Sequence, residues 1–308
     1  MVRKRLQKLR SKKIIIYNLR EFLYSYWEIR NNRRREAQND NRIKAVVVLY
    51  RETEVIFLHL WEAIPMKQPG ILACTGAGGK TSLVQTLARQ GQACHFPVIL
   101  STTTKMYYHQ VERYTPVIAA SYEDGAKQIG RRLQSGEIGA WFVSRAGEKC
   151  TGLPPGWLDK LAGDNPSCTL LVEADGARGR LVKAPAEYEP IVPAGTDITV
   201  GILNLQALEQ PLNEAVAHRP EQVSLLLNKP LGTRLEPVDL VALAVHRQGI
   251  FQNSQGRKVL LLAGAEAVNC NLIKAVLQEL HRWPSDICRC IIASGYDENM
   301  QPVEVYDV

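Results

Sequence analysis

The sequence predicts an α/β fold with a doubly wound, mostly parallel sheet that follows a basic N-terminal extension. Three observations support this prediction. From Met66 onward, short apolar strands alternate with helical segments, and several strands are uninterrupted apolar runs such as residues 259–262. Such runs are typical of strands buried on both faces of a parallel sheet. A glycine-rich turn joins one strand to a helix, and another strand ends in acidic residues.

The individual elements follow from apolar patterning and from the polar or glycine-containing stretches that separate them. Strands are predicted at residues 70–75, 98–102, 140–144, 169–174, 197–203, 223–228, 258–264 and 290–294. Helices are predicted at residues 81–91, 122–135, 237–248 and 267–282. Strands interleaved with helices imply right-handed crossovers and a parallel sheet. No obvious linker divides residues 66–308, so we expect them to form one α/β domain.

The extension, residues 1–65, differs in charge from the rest of the chain. It contains 15 Lys and Arg against 7 Asp and Glu, whereas the remainder contains 23 against 24. Within it, residues 14–29 predict an amphipathic helix and residues 44–60 a hairpin. A basic aromatic helix could bind nucleic acid or an anionic membrane, but a solvated extension explains the same pattern. Because the domain is nearly neutral, nucleic-acid binding is not expected. Met66 offers an alternative start for the protein.

Hydropathy and cysteine content exclude two classes of protein. No uncharged apolar run approaches the roughly 18–20 residues of a membrane span, and no secretory signal is recognisable. The seven cysteines are scattered and do not form the framework of a small secreted protein. Cys288 and Cys290, two apart on a predicted strand, could bind a soft metal or selenium, or simply be buried small hydrophobes. We expect a reduced, cytoplasmic protein.

The most specific motif is the glycine-rich turn TGAGGKTS at residues 75–82. Between an apolar strand and a helix, this pattern predicts the phosphate-binding loop of a P-loop NTPase. Lys80 would reach the β- and γ-phosphates, and the Thr81 hydroxyl would bind Mg²⁺. The usual spacing places the first glycine at position 74, where this chain has Cys74, so the first turn of the loop is expected to differ. The nucleotide-binding candidates here are Gly76, Ala77, Gly78, Gly79, Lys80, Thr81 and Ser82.

Two further strand ends are expected at the same edge of the sheet. Glu173 and Asp175 follow an apolar strand and lie two residues apart, which places them on one face. We assign Asp175 to the metal and Glu173 to an attacking water or acceptor. The cluster STTTK at residues 101–105 contains Thr102, Thr104 and Lys105, which could contact phosphate. The alternative for this cluster is the N-cap of a following helix.

These segments together resemble the YqeC family, described as accessory proteins of selenium-dependent hydroxylases. The resemblance rests on residues 75–81, 101–105, 171–178 and 181–190, and it covers the chain from Gly70 onward but not residues 1–65. It implies a P-loop protein that accompanies molybdenum hydroxylases with a labile selenium centre.

The loops after the acidic strand carry further candidate residues. Arg178 would stabilise a transferring phosphoryl group or dock an anionic partner. Lys183 and Glu187 lie in a proline-rich stretch predicted to be irregular, and they would form a substrate or partner rim. Mutual ion pairs on a solvated loop are the alternative.

We therefore expect a Mg²⁺-dependent protein that binds ATP or GTP, an NTPase with Lys80, Glu173, Asp175 and Arg178 as catalytic residues. Its partner would be a molybdenum hydroxylase or a protein of its cofactor maturation. The alternatives are a nucleotide-switched chaperone with slow hydrolysis and a small-molecule kinase. Asn228-Lys229 resembles the start of a guanine-reading loop, but Leu231 stands where the acid is expected, so the base stays open.

Overall fold

A computed structural model describes residues 59–66 and 68–308. The strands are β1 (Ile71–Gly76), β2 (Val98–Thr102), β3 (Lys105–Tyr107), β4 (Val117–Ile118), β5 (Gly139–Phe142), β6 (Ser144–Ala146), β7 (Lys149–Thr151), β8 (Thr169–Glu173), β9 (Val182–Lys183), β10 (Thr196–Asn204), β11 (Ala217–His218), β12 (Arg257–Ala263), β13 (Ile287–Ser294) and β14 (Gln301–Asp307). The helices are α1 (Leu60–Ala63), α2 (Lys80–Ala93), α3 (Tyr122–Gln134), α4 (Pro155–Asp164), α5 (Pro220–Leu227), α6 (Pro237–Val245) and α7 (Cys270–Arg282).

Nine of these strands form one sheet in the order β14-β13-β12-β10-β1-β8-β2-β5-β4. Every neighbouring pair is parallel except β13 and β14, which are antiparallel. The carboxyl ends of the parallel strands therefore share one edge. β1 occupies the centre, with β8, β2, β5 and β4 on one side and β10, β12, β13 and β14 on the other. The prediction of an α/β fold with a mostly parallel sheet is confirmed.

Helices cover both faces of the sheet, which explains the uninterrupted apolar strands. In β12, Val259 and Leu261 pack into the core beneath α1 and α2, whereas Leu260 and Leu262 pack beneath α5, α6 and α7. The face covered by α5, α6 and α7 also carries a further cluster, in which α3 and α4 cover β1, β5 and β8. Most residues of the central strands are therefore buried on one face or the other, as a doubly wound sheet requires.

Residues 223–228, predicted to be a strand, instead belong to α5, and that prediction is wrong. Pro220 lies in the first turn of the helix, where its fixed φ and missing N–H are tolerated. Val223 packs into the core while Leu225 is 81% exposed. A short leucine-rich run cannot be separated from a buried strand by periodicity alone. The sequence analysis also did not predict α4 and the antiparallel strand β14.

Helix α1 packs within the domain although it precedes the expected boundary at residue 66. Leu60, Ala63 and Ile64 are buried in the core beneath α2. The ring of Trp61 stacks on Phe96, with ring centroids 5.8 Å apart. Residues 60–64 therefore pack against the part of the chain that follows the expected boundary. The helix expected at 14–29 and nearly all of the hairpin expected at 44–60 lie outside the described residues.

Cys288 and Cys290 do not face the same side of the sheet. The register between β12 and β13 shifts at this point, with Lys258 opposite Ile287 and Val259 opposite Arg289. Because of this irregularity, Cys288 packs against the core on one face and Cys290 is buried in the core on the other. Burial raises the pKa of Cys290 to about 12. Cys288 and Cys290 are therefore best explained as small hydrophobic residues of the strand. Their thiols lie on opposite faces of the sheet and do not form a shared metal site.

Two glycines of α3 give opposite expectations for the same substitution. A Cβ on Gly125 would lie 1.9 Å from the Trp141 ring, whereas a Cβ on Gly130 would meet no atom within 4 Å. Gly125→Ala should therefore destabilise the fold by about 1–3 kcal/mol through overpacking. Gly130→Ala should stabilise it by about 0.5–1 kcal/mol through helix propensity. Urea unfolding of both variants tests this. A stabilised Gly125→Ala variant would contradict the packing of α3 on β5.

No helix within residues 59–66 and 68–308 combines the length and apolar character needed to cross a membrane.

Candidate functional site

The glycine-rich loop between β1 and α2 is pressed against β10. Cys74 belongs to β1 rather than to the loop, and the first turn of the loop falls at Gly76, with φ +87°. A Cβ on Gly76 would lie 2.1 Å from the Ile202 carbonyl oxygen. Ala77 N donates to the same oxygen at 2.8 Å. Gly78, with φ +75°, passes so close to Asn204 that a Cβ would lie 2.5 Å from the Asn204 Cβ. Only glycine fits at these two positions.

The first turn of α2 has, among the described residues, neither a side-chain cap nor an acidic residue. Gly79 is the N-cap of the helix. The initial N–H groups of a 14-residue helix are therefore available, and they carry the positive end of the helix dipole. This is the local arrangement that binds phosphate in other proteins.

Lys80 lies at the base of the loop and is only 4% exposed. Its Nζ donates to the Gly76 carbonyl oxygen at 2.5 Å and lies 3.1 Å from Asp175 Oδ1. Burial alone would lower the pKa of Lys80, but the charges of Asp175 and Glu173 outweigh it and raise the pKa. The ammonium group is therefore charged and held directly beneath the anion-binding turn.

Glu173, at the end of β8, is the acid that contacts the predicted metal-binding hydroxyl. Its Oε2 accepts a hydrogen bond from Thr81 Oγ1 at 3.0 Å. Burial raises the pKa of Glu173, although Lys80 and Thr81 act in the opposite direction. The sequence analysis assigned the metal to Thr81 and Asp175, but the acid that contacts the Thr81 hydroxyl is Glu173.

Asp175 instead ties the glycine loop to two lysines. It is fully buried, and its Oδ2 accepts from Gly76 N at 3.1 Å. The same oxygen lies 3.0 Å from Lys183 Nζ, while Oδ1 faces Lys80. A carboxylate engaged in this way has little capacity left for a metal ion. The two acids do converge on the loop, as their spacing predicts, but they have different partners.

Lys183 is the centre of a buried chain of charges that leads away from the loop. Besides Asp175, its Nζ contacts Glu189 Oε2 at 2.9 Å and the Gly176 carbonyl oxygen at 2.8 Å. Glu189 in turn accepts two hydrogen bonds from Arg219, at 2.6 and 3.0 Å. Burial alone would raise the pKa of Glu189, but Arg219 and Lys183 lower it to about 2. Burial and these same cations lower the pKa of His218 to about 4.

The buried chain of charges contradicts, for Lys183, the prediction that Lys183 and Glu187 form a substrate or partner rim. Lys183 has no accessible surface, so its side chain cannot contact a partner in this conformation. Its carboxylate partner in the proline-rich stretch is Glu189, whereas Glu187 is exposed. Ion pairing was the stated alternative, but the pairs are buried rather than solvated. Arg219 was not assigned a role, and the sequence carries no local signal for it because it lies far along the chain from Glu189.

The remaining candidates divide into structural and exposed residues. Thr102 Oγ1 donates to the Glu173 carbonyl oxygen at 2.6 Å and accepts from Thr104 N at 3.1 Å, so it braces the strand ends. The cluster leads into β3 and not into a helix, so the N-cap alternative is wrong. Lys105 and Arg178 are exposed, and Arg178 has a φ of +50° on the loop after Asp175.

Unsatisfied polar atoms gather at this edge of the sheet. Among the described residues, four buried side-chain atoms have no hydrogen-bond partner, and three of them are Thr75 Oγ1, Thr103 Oγ1 and Asp175 Oδ1. Asp175 Oδ1 faces the Lys80 ammonium but is not aligned for a hydrogen bond. Buried polar atoms normally find partners. Asp175 Oδ1 is compensated by the Lys80 charge, whereas Thr75 Oγ1 and Thr103 Oγ1, near the ends of β1 and β2, are left without partners in the described part of the chain and fit the lining of a site for a polar ligand.

The fold and this site define an α/β protein with a glycine-rich loop and a buried lysine at the carboxyl edge of a parallel sheet. Comparison with known proteins gives its family. A model of the family described as YqeC protein matches residues 72–221. An Escherichia coli (strain K12) protein described as "Uncharacterized protein YqeC" is 33% identical over 189 residues, which cover 61% of this chain and 72% of that protein. The chain belongs to the YqeC family.

Proposed function

We propose that this protein binds the magnesium complex of a nucleoside triphosphate, ATP or GTP, at the glycine-rich loop and hydrolyses it. The observation that carries the proposal is the buried Lys80 beneath the uncapped N-terminus of α2. A buried lysine at the entrance of a helix that already presents free N–H groups concentrates positive charge where a polyphosphate would bind. Resemblance to accessory proteins of selenium-dependent hydroxylases supports a molybdenum hydroxylase, or a protein of its cofactor maturation, as the client.

Roles for the individual residues follow from their contacts. The N–H groups of residues 78–81 would surround the β-phosphate, since Ala77 N is already bonded to the Ile202 carbonyl oxygen. Lys80 would exchange part of its interaction with Asp175 for the β- and γ-phosphates. Thr81 and Glu173 would hold Mg²⁺, because a hydroxyl and a carboxylate 3.0 Å apart are the hard oxygen donors it prefers. Mg²⁺ would supply charge neutralisation on the phosphates. Arg178 is exposed on the adjoining loop and would reach the phosphates or an anionic partner.

One observation favours slow hydrolysis, and with it the alternative of a nucleotide-switched chaperone. Both acids at the loop are already engaged, Glu173 with Thr81 and Asp175 with two lysines. Neither carboxylate is therefore poised to accept a proton from water. Rapid hydrolysis would then require a group contributed by a partner. Turnover measured with and without a molybdenum hydroxylase distinguishes a self-sufficient enzyme from a partner-dependent switch.

The metal assignment is tested by two isosteric variants. Glu173→Gln retains an acceptor for Thr81 but removes the charge, so it should reduce the enhancement of triphosphate affinity by Mg²⁺ by roughly 10-fold or more. Asp175→Asn should leave that enhancement largely intact, because Asp175 is occupied by lysines. Fluorescent-triphosphate titrations in Mg²⁺ and in EDTA measure both effects. If Asp175→Asn loses the Mg²⁺ enhancement and Glu173→Gln keeps it, the metal belongs to Asp175. If both variants keep the enhancement, both assignments are contradicted.

A further inference from the structure

The side of the glycine loop opposite the acids carries a second group of polar residues. β8, with Glu173, lies on one side of β1, whereas β10, β12 and β13 lie on the other. Because these strands are parallel to β1, the loops that follow them lie at the same edge. These loops begin after Asn204, Ala263 and Ser294. Folds with an open parallel sheet bind ligands at the carboxyl ends of the strands, near the point where the strand order reverses.

Two of these loops are joined directly to the phosphate loop and to α2. Asn204 Nδ2 donates to the Gly78 carbonyl oxygen at 2.8 Å. Asp297 N donates to Ser82 Oγ at 3.0 Å, and the Asp297 carbonyl oxygen accepts from Thr86 Oγ1 at 2.7 Å. The loop that contains Asp297 is therefore held against the first turns of α2, where Ser82 follows the lysine and threonine of the motif.

Tyr296, the residue before Asp297, presents an aromatic ring at this place. It is 42% exposed, and its hydroxyl contacts the side-chain amide of Gln206. Burial raises the pKa of the Tyr296 hydroxyl, and Asn204, Gln206 and Glu266 also perturb it, so these three side chains surround its polar end. Glu266 Oε2 in turn accepts from Gly295 N at 3.2 Å. One exposed ring thus stands among fixed amide and carboxylate groups beside the phosphate loop.

The direction of a bound triphosphate connects these observations, and this step rests on the proposed function. Lys80, Thr81 and Glu173 would hold the β- and γ-phosphates on the side of β8. The α-phosphate and the nucleoside must then extend the other way, past Ser82 and toward the loop of residues 295–299. We propose that Tyr296 is the stacking platform for the nucleobase of the bound triphosphate, with Gln206 and Glu266 facing the edge of the base. Aromatic side chains bind bases in this manner because every base offers a π-face.

The test compares nucleoside triphosphates with a ligand that lacks the nucleoside. Isothermal titration in Mg²⁺ would measure ATP, GTP and inorganic tripolyphosphate against the full chain. Tyr296→Ala should weaken ATP or GTP roughly 10-fold or more, the range for losing a stacked aromatic, and leave tripolyphosphate unchanged. Tyr296→Phe keeps the ring and should retain most of the affinity. Trp283→Ala removes an aromatic of similar exposure, 41%, at the end of α7 and is the matched control.

The outcomes separate the two proposals. Unchanged nucleotide affinity in Tyr296→Ala, with tripolyphosphate still binding, would overturn the stacking role and leave the proposed function standing. An equal loss for tripolyphosphate would also overturn it, because Tyr296 would then act through the loop. If the wild type binds neither ligand, both proposals fail. Glu266→Gln should change the ratio of ATP to GTP affinity, and an unchanged ratio would overturn the role given to Glu266.

Discussion

Lys80→Ala should lower triphosphate affinity or turnover by roughly 100-fold or more, the scale on which removal of a single electrostatic stabiliser acts. The ammonium group is buried beneath the loop, so water cannot replace it as a partner for the phosphates as it could at an exposed site. A titration with a fluorescent triphosphate measures the loss. Lys127→Ala, at an exposed position of α3, is the control and should bind as the wild type does. Unchanged binding by Lys80→Ala would remove the basis of the nucleotide proposal.

The same variant has a consequence for stability that the sequence does not reveal. A lysine in an unoccupied phosphate loop is expected to contribute little to the fold. In the structure, Lys80 neutralises the fully buried Asp175, so its removal leaves that carboxylate with Lys183 and Gly76 N alone. We expect a measurable fall in the free energy of unfolding, smaller than for Lys183, because Lys80 pairs with one buried carboxylate whereas Lys183 pairs with two.

Lys183→Met should have the largest effect on stability, about 3–5 kcal/mol, the cost of leaving a buried charge without its partner. Lys183 compensates two carboxylates, Asp175 and Glu189, and no other lysine contacts Glu189 among the described residues. Urea unfolding of the purified protein measures the loss. Glu187→Ala, an exposed position in the same stretch, should stay within about 0.5 kcal/mol of the wild type.

A double variant distinguishes the loss of the Lys183 ion pairs from general misfolding. In Lys183→Met combined with Glu189→Gln, one of the two carboxylates that lost Lys183 as a partner is neutralised, so the double variant should recover part of the lost stability. A Lys183→Met protein as stable as the wild type would contradict the buried chain of charges. Nucleotide binding should also fall in Lys183→Met, because Asp175 holds Gly76. A Lys183 that belonged only to a partner rim, as the sequence analysis predicts, would instead leave nucleotide binding intact.

The features predictable from the sequence are those that depend on local pattern. The turn from β1 into α2, the strand that ends in Glu173, and the alternation of strands and helices all follow from spacing and apolar runs. The sequence does not predict which acid contacts Thr81. The strand period of two places both acids on one side of the strand but does not determine the partner of each. The burial of Lys183 depends on Glu189 and Arg219, and Arg219 reaches Glu189 only through the fold. The register shift at Cys288 depends on the pairing of β13 with β12, which no residue of β13 signals by itself.

The two edges of the nine-stranded sheet, as far as the described residues form it, bear on whether a second copy could add a strand. One edge, β4, has only two residues, Val117 and Ile118. The other, β14, is the last strand at its side of the sheet in the described part of the chain, and it contains Pro302, Glu304 and Asp307. Proline removes a donor from an edge, and charged side chains discourage a further strand from pairing there. Neither edge is a good template for adding a strand from a second copy, so native molecules should resist joining edge to edge even at high concentration.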